Sequence, residues 1–212
     1  MTGYLRDTVA LARKDVLLEL RGRETLPAMA IFVVAMLVVF RFALVDGEAD
    51  AAKGLLWVAI LFTALLGLVR AFVPEREQGV LDALVLAPCD RSTIWLGKLA
   101  ATLVFLVAVE LVAVPAFWLF FEGLDGSALA AIALADVGIC AVGTLLAAMA
   151  VAGRARELLL PLLFLPLGLP IVVGGVGATV VDDPGRYLAF LALYDAVFAI
   201  LAWATFEYVV TE

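Results

Sequence analysis

Six apolar runs divide this chain, each long enough to cross the hydrocarbon layer of a bilayer. They lie at about residues 26–45, 55–73, 96–121, 128–152, 158–178 and 187–209. A helix rising about 1.5 Å per residue needs roughly twenty apolar residues for that crossing. In lipid every backbone N–H and C=O must be satisfied within its own segment, so six transmembrane helices are the expected form. At 66% hydrophobic residues and a mean hydropathy of +1.14, the chain is far more apolar than a soluble domain. The reading is an all-α membrane protein whose 212 residues make one membrane domain. The fifth run is the least regular. Pro161, Pro166 and Pro170 each remove a backbone donor, and Gly174, Gly175 and Gly177 are expected to loosen its far end. A kinked or broken helix is expected there.

The residues before the first run form a different element. Leu5, Val9, Ala12, Val16 and Leu20 recur on one helical face over about residues 4–22, with Arg6, Arg13, Lys14 and Arg21 around the other sides. This predicts an amphipathic helix lying in the membrane interface, in contact with lipid. No cleavable signal peptide is expected, because charged residues fill the first 24 positions and the first apolar run is full length.

The basic residues orient the bundle. With the N-terminus inside, the inner segments hold Arg6, Arg13, Lys14, Arg21, Arg23, Arg70, Arg76, Arg91, Lys98, Arg154 and Arg156. The outer ends hold Arg41, Lys53 and Arg186. That bias predicts both termini on the cytoplasmic side of the plasma membrane.

Composition also excludes functions. A net charge of −7 argues against nucleic acid as a partner. There is no histidine, which removes the commonest metal ligand and general base. Cys89 and Cys140 lie in a loop and in an apolar run, a spacing that supports neither a zinc site nor a disulfide. Haem would have Met, Cys or Tyr for axial ligation, and Met29, Met36, Met149 and Cys140 show no haem-like arrangement. No resident cofactor and no metal site are expected. An intramembrane enzyme is disfavoured, since no paired glutamates and no Ser–Lys constellation occur.

Three acids fall inside apolar runs. Glu110 lies near the middle of the third. Asp136 and Asp195 lie about eight residues into the fourth and sixth from the outer side, roughly 12 Å deep. An ionisable group at such depth is costly and points by default to function. The three acids are suited to lining a polar cavity, carrying protons or bonding across helices. Glu110 is expected to be the deepest. Neutral acids bonded to a hydroxyl or to backbone are the plain alternative.

The inner loop between the second and third runs carries the most specific pattern. It reads Pro74-Glu75-Arg76-Glu77-Gln78-Gly79-Val80-Leu81-Asp82-Ala83-Leu84-Val85-Leu86-Ala87-Pro88. Bracketed by glycine and proline, residues 80–87 predict a short stiff helix that fits a groove on a partner and transmits its motion into the flanking spans. Glu75, Glu77 and Asp82 would supply polar register, and Leu81 and Leu84 buried anchors. Arg70 is placed to pair with Glu75 or Glu77. Asp90 or Ser92 is expected to cap the third span near Ile94. A loop that merely connects two helices is the competing reading.

The pattern Glu77-x-Gly79-x-x-Asp82-x-Leu84-x-x-Ala87-Pro88, followed by Gly97-Lys98, resembles the coupling segment of type-two ABC exporter permeases. It departs at Val80, where threonine is common. Within that superfamily the chain is similar over its whole length to the B-subunit family of the cytochrome c maturation system, the haem exporter protein B (CcmB) family. The similarity rests on the short basic N-terminal helix and six spans. It rests also on Gly54-Leu55-Leu56-Trp57-Val58, on Arg70, and on the proline-rich run Arg156 to Pro170. The resemblance implies a non-catalytic permease subunit with a separate ABC ATPase and a haem-handling membrane protein as partners. It also implies haem delivery for c-type cytochromes, and a homodimer. Haem itself passing through the subunit, or ATP-driven release of a haem-loaded partner, both fit. A type-two permease for another substrate, a lipid or a drug, is the alternative. The phosphate-binding loop Gly-x-x-x-x-Gly-Lys-[Ser/Thr] does not occur in the sequence, so an ATPase would be a separate polypeptide.

Overall fold

The structure, a computed structural model, describes residues 2–44, 49–73, 79, 90–121, 123–152 and 156–211. All regular elements among them are helices: α1 (Thr2–Gly22), α2 (Thr25–Ala43), α3 (Ala49–Arg70), α4 (Arg91–Phe120), α5 (Gly126–Ala152), α6 (Arg156–Val180) and α7 (Gly185–Thr211). The last six are long and apolar enough to cross a membrane. Most outrun the apolar windows at one or both ends, because capped and charged turns extend a helix past the hydrocarbon. Thus α3 begins six residues before its window, with Lys53 3.6 Å from Asp50 in its first turns. At α4, Asp90 is the cap, accepting from the Ser92 backbone N–H at 2.9 Å.

Side-chain contacts fix the order of the ends. At one end the start of α3 meets the end of α6, where the Trp57 indole donates to Thr179 Oγ1 at 3.2 Å. The Ser127 hydroxyl oxygen, in the first turn of α5, lies 3.3 Å from the Ala178 carbonyl oxygen there. At the opposite end Arg91 of α4 reaches Glu207 of α7 at 3.4 Å. Successive spans therefore alternate in direction. The spine is α5, packed against α6 and α7 and touching α3 and α4. The outer faces of α2, α4, α6 and α7 expose Phe42, Leu111, Leu119, Leu162, Leu193 and Ile200. Against water such a surface would be untenable; against lipid it is ordinary.

The proline-rich span is not broken. Helix α6 runs unbroken from Arg156 to Val180 with all three prolines inside it. Its glycines do not loosen it; they are packing notches. A methyl at Gly175 would strike the Trp57 ring, and one at Gly168 would approach Leu61 to 2.6 Å. Gly168 and Gly175 are two turns apart, so α3 lays Leu61 and Trp57 along one seam of α6. Gly174 likewise receives Leu191 and Gly177 receives Tyr187, both from α7. Close approach at small residues is how helices gain packing contacts when lipid offers no hydrophobic drive.

Candidate functional site

Helix α1 docks with an unexpected face. Its apolar stripe, represented by Leu5, Val9 and Leu20, is exposed and free to meet lipid. The face next to it, through Tyr4, Thr8, Leu11, Asp15 and Glu19, meets the bundle. Tyr4 Oη lies 2.8 Å from Ser92 Oγ. A Cβ at Gly97 would lie 2.7 Å from Leu11 Cβ and 3.4 Å from the Thr8 carbonyl, so the first turns of α4 abut α1 directly. One helical face thus holds the protein while its neighbour serves the membrane.

Lys98, adjoining that contact, gathers three elements. Its ammonium is 2.9 Å from Asp15 Oδ2 of α1, and its side chain is 5% exposed. It donates to the Ala71 carbonyl at 2.6 Å, just past α3, and lies 4.9 Å from the Phe72 ring centre. A buried lysine needs a paired carboxylate and further acceptors, and here it has both. Glu19 continues the row by accepting from the Thr25 and Leu26 backbone N–H groups at 2.7 and 2.8 Å. It thereby caps α2, whose own N-cap Glu24 makes no side-chain cap bond. Arg70 pairs with Glu24 at 3.1 Å. The expected partners Glu75 and Glu77 lie outside the described residues. A cleft of about 470 Å³ opens among these groups, lined by Asp15, Glu19, Glu24, Arg70, Lys98 and Phe105.

The cluster holds both roots of the loop predicted to carry the partner contact. Of that segment, Gly79 is described: it is exposed, with φ of +63°, a conformation that penalises any residue with a Cβ. Glu75, Glu77, Leu81, Asp82, Leu84 and Pro88, with Cys89, lie outside the described residues.

The intramembrane acids divide into a pair and a single. Glu110 lies ten residues before the end of α4 at Phe120. Asp136 lies ten residues after the start of α5 at Gly126. Asp195 lies ten after the start of α7 at Gly185. All three share one level, about 15 Å from their helix ends. Glu110 is therefore not the deepest acid. Glu110 and Asp136 stand at matching positions on the antiparallel neighbours α4 and α5, each with a buried carboxyl oxygen that receives no hydrogen bond. Asp195 sits elsewhere, against Gly138, where a Cβ would collide with it. Asp136 and Asp195 are 1% and 7% exposed, and the oxygens of both receive no hydrogen bond. Beside Asp195, Tyr194 Oη donates to the Leu167 carbonyl at 2.6 Å and its ring stacks on Phe198. Cys140 is buried as a free thiol. Among the described residues no group of three or more potential ligands is placed to hold a metal.

The family described as CcmB protein matches residues 6–209. The chain belongs to the CcmB family. Its relatives named "Heme exporter protein B" match along most of both chains. The one from Paracoccus denitrificans is 35% identical over 176 residues, 78% of this chain and 80% of its own. That from Rhodobacter capsulatus is 33% identical over 183 residues, 78% and 79% of the two chains. That from Bradyrhizobium diazoefficiens is 30% identical over 180 residues, 80% and 79%. This CcmB-family chain is a multi-pass membrane protein with six apolar helices. The sequence pattern had singled out the loop and the acids. It missed Asp15 and Glu19, which read as charges on an amphipathic helix. The signal available was Gly97-Lys98, whose partners had to lie on a neighbouring element.

Proposed function

We propose that this protein is the membrane subunit of a haem export system serving c-type cytochrome assembly, driven by ATP hydrolysis on a separate polypeptide. The observation that carries the reading is the match of residues 6–209 to the CcmB family, with relatives named Heme exporter protein B along most of their length. The ATPase docks on residues 74–88, and both termini face it from the cytoplasm. Two ATPase subunits would require two such loops, hence a homodimer. A haem-handling membrane protein completes the complex. Helix α1, anchored through Lys98 at the loop roots, supports the coupling role, because motion imposed there reaches α3, α4 and α1 together. The subunit performs no chemistry of its own, and haem is cargo.

The test is complementation. The chain is expressed in a bacterium deleted for its own family member, and covalent haem is stained in c-type cytochromes. Restored staining supports the proposal. Normal insertion with staining at background overturns it. Co-purification of an ABC ATPase without any haem-handling protein would favour a permease for a different substrate.

A further inference from the structure

We infer that Glu110 and Asp136 form a single-proton site inside the helix bundle, one carboxylic acid donating its O–H to the carboxylate beside it. Helices α4 and α5 are antiparallel neighbours joined by a short connection, and the two residues stand at equal distances from it. That register sets both at one level of the α4–α5 packing, and the Asp136 oxygens and Glu110 Oε1 are sealed from solvent there. Asp136 is 1% exposed, yet neither of its oxygens accepts a hydrogen bond, and Glu110 Oε1 accepts none. A buried carboxylate without donors is costly, and two of them in contact repel in a medium that screens poorly. One proton removes both difficulties: it cancels a charge and supplies the missing donor. The Cys140 thiol, one turn along α5 from Asp136, is buried and is a weak donor. Asp195 is separate, placed over Gly138 on the α7 side.

The ligand is a proton, held at a level about 15 Å from the helix ends. This goes beyond the transport reading and stands without it. It is tested on the full-length chain in lipid nanodiscs by infrared absorption of the protonated carboxyl C=O group at neutral pH. The double variant Glu110→Gln with Asp136→Asn keeps both shapes and removes both acids. Subtracting its spectrum from the wild type should reveal one carboxylic acid equivalent per chain, shifting on exchange into heavy water. Asp195→Asn should leave that difference in place. Should the amides fail to insert, Glu110→Leu with Asp136→Leu gives the same subtraction, since leucine is readily accepted in lipid. No difference between wild type and the double variant overturns the proposal, as does a difference of two equivalents. A pair neutralised by sodium instead would show no such band and a sodium-dependent melting temperature, which also overturns it.

Discussion

The Lys98 ammonium sits 2.9 Å from an Asp15 carboxylate oxygen, and this contact ties the amphipathic helix α1 to the first turns of α4. The same lysine reaches the Ala71 carbonyl, so the two spans flanking residues 74–89 and the interfacial helix share one charged centre. Both charges are largely shielded, and removing the Lys98 ammonium leaves the buried Asp15 carboxylate to the more exposed Lys14, 3.0 Å from its other oxygen. Lys98→Met should lower stability by about 3 kcal/mol, and adding Asp15→Asn should recover much of it. Thermal unfolding of the detergent-solubilised protein measures both. A double variant no more stable than Lys98→Met would contradict the pairing.

Gly97 tests the same junction by sterics. A methyl at Gly97 would lie 2.7 Å from Leu11 Cβ, and neither backbone is free to yield. Gly97→Ala should cost roughly 1–3 kcal/mol and expose α1 to added protease. Leu11→Gly in the same chain removes the Cβ that the methyl would meet and should recover part of both, less about 1 kcal/mol for a glycine inside a helix. Lack of rescue would mean that α1 does not rest there.

The spans were legible in the sequence because hydrocarbon thickness sets their length and hydropathy reports it directly. Apolar runs also carried the amphipathic helix, since its stripe answers to the membrane. What they could not carry is which face of α1 holds the bundle. Tyr4, Thr8, Asp15 and Glu19 look like a solvated face until Lys98 and Ser92 supply their partners from distant positions. The α6 glycines misled for a related reason. A glycine that breaks a helix in water and one that admits Trp57 in lipid look alike in sequence. The three acids were legible singly. Their division into a pair and a single depends on helix register, which set Glu110 level with Asp136 on the neighbouring helix and turned Asp195 toward Gly138.

Asp125 predicts a local acid sensitivity. Its carboxylate accepts the Ala128 N–H at 2.8 Å and the Ser127 hydroxyl at 2.8 Å, capping α5. These bonds, the Ala128 one foremost, hold the Asp125 carboxyl below its ordinary range. A lowered value in the folded state means stability present above the unfolded value and lost as pH falls through the folded one. Asp125→Asn keeps a capping oxygen without titrating. Its melting temperature should therefore fall less on acidification than that of the wild type. Asp125→Ala should cost about 1 kcal/mol at neutral pH.

Orientation follows the arginines if the proposed topology holds. Single cysteines at Asp50 and Asp183 should react with a membrane-impermeant thiol reagent in intact cells, and one at Glu157 should react only after permeabilisation. These are best placed in a chain whose Cys89 and Cys140 are serine. Labelling of the Glu157 site in sealed cells would invert the bundle and move the loop at 74–88 to the wrong side for a cytoplasmic ATPase.

The coupling segment makes the sharpest demand. Glu77→Ala with Asp82→Lys removes one acidic contact and reverses another, while leaving every described helix untouched. If residues 74–88 seat the ATPase, the double variant should lower its co-purification at least tenfold, about 1.4 kcal/mol of binding. The chain should still insert, with the melting temperature of the wild type. The Lys98–Asp15 contact supplies the control, because its loss should soften the loop roots and lower the melting temperature as well. Two signatures separate the roles: binding lost at full stability marks the docking surface, and both lost together marks its support. Undiminished co-purification of the ATPase with the Glu77 and Asp82 variant would place the docking surface elsewhere on the cytoplasmic side.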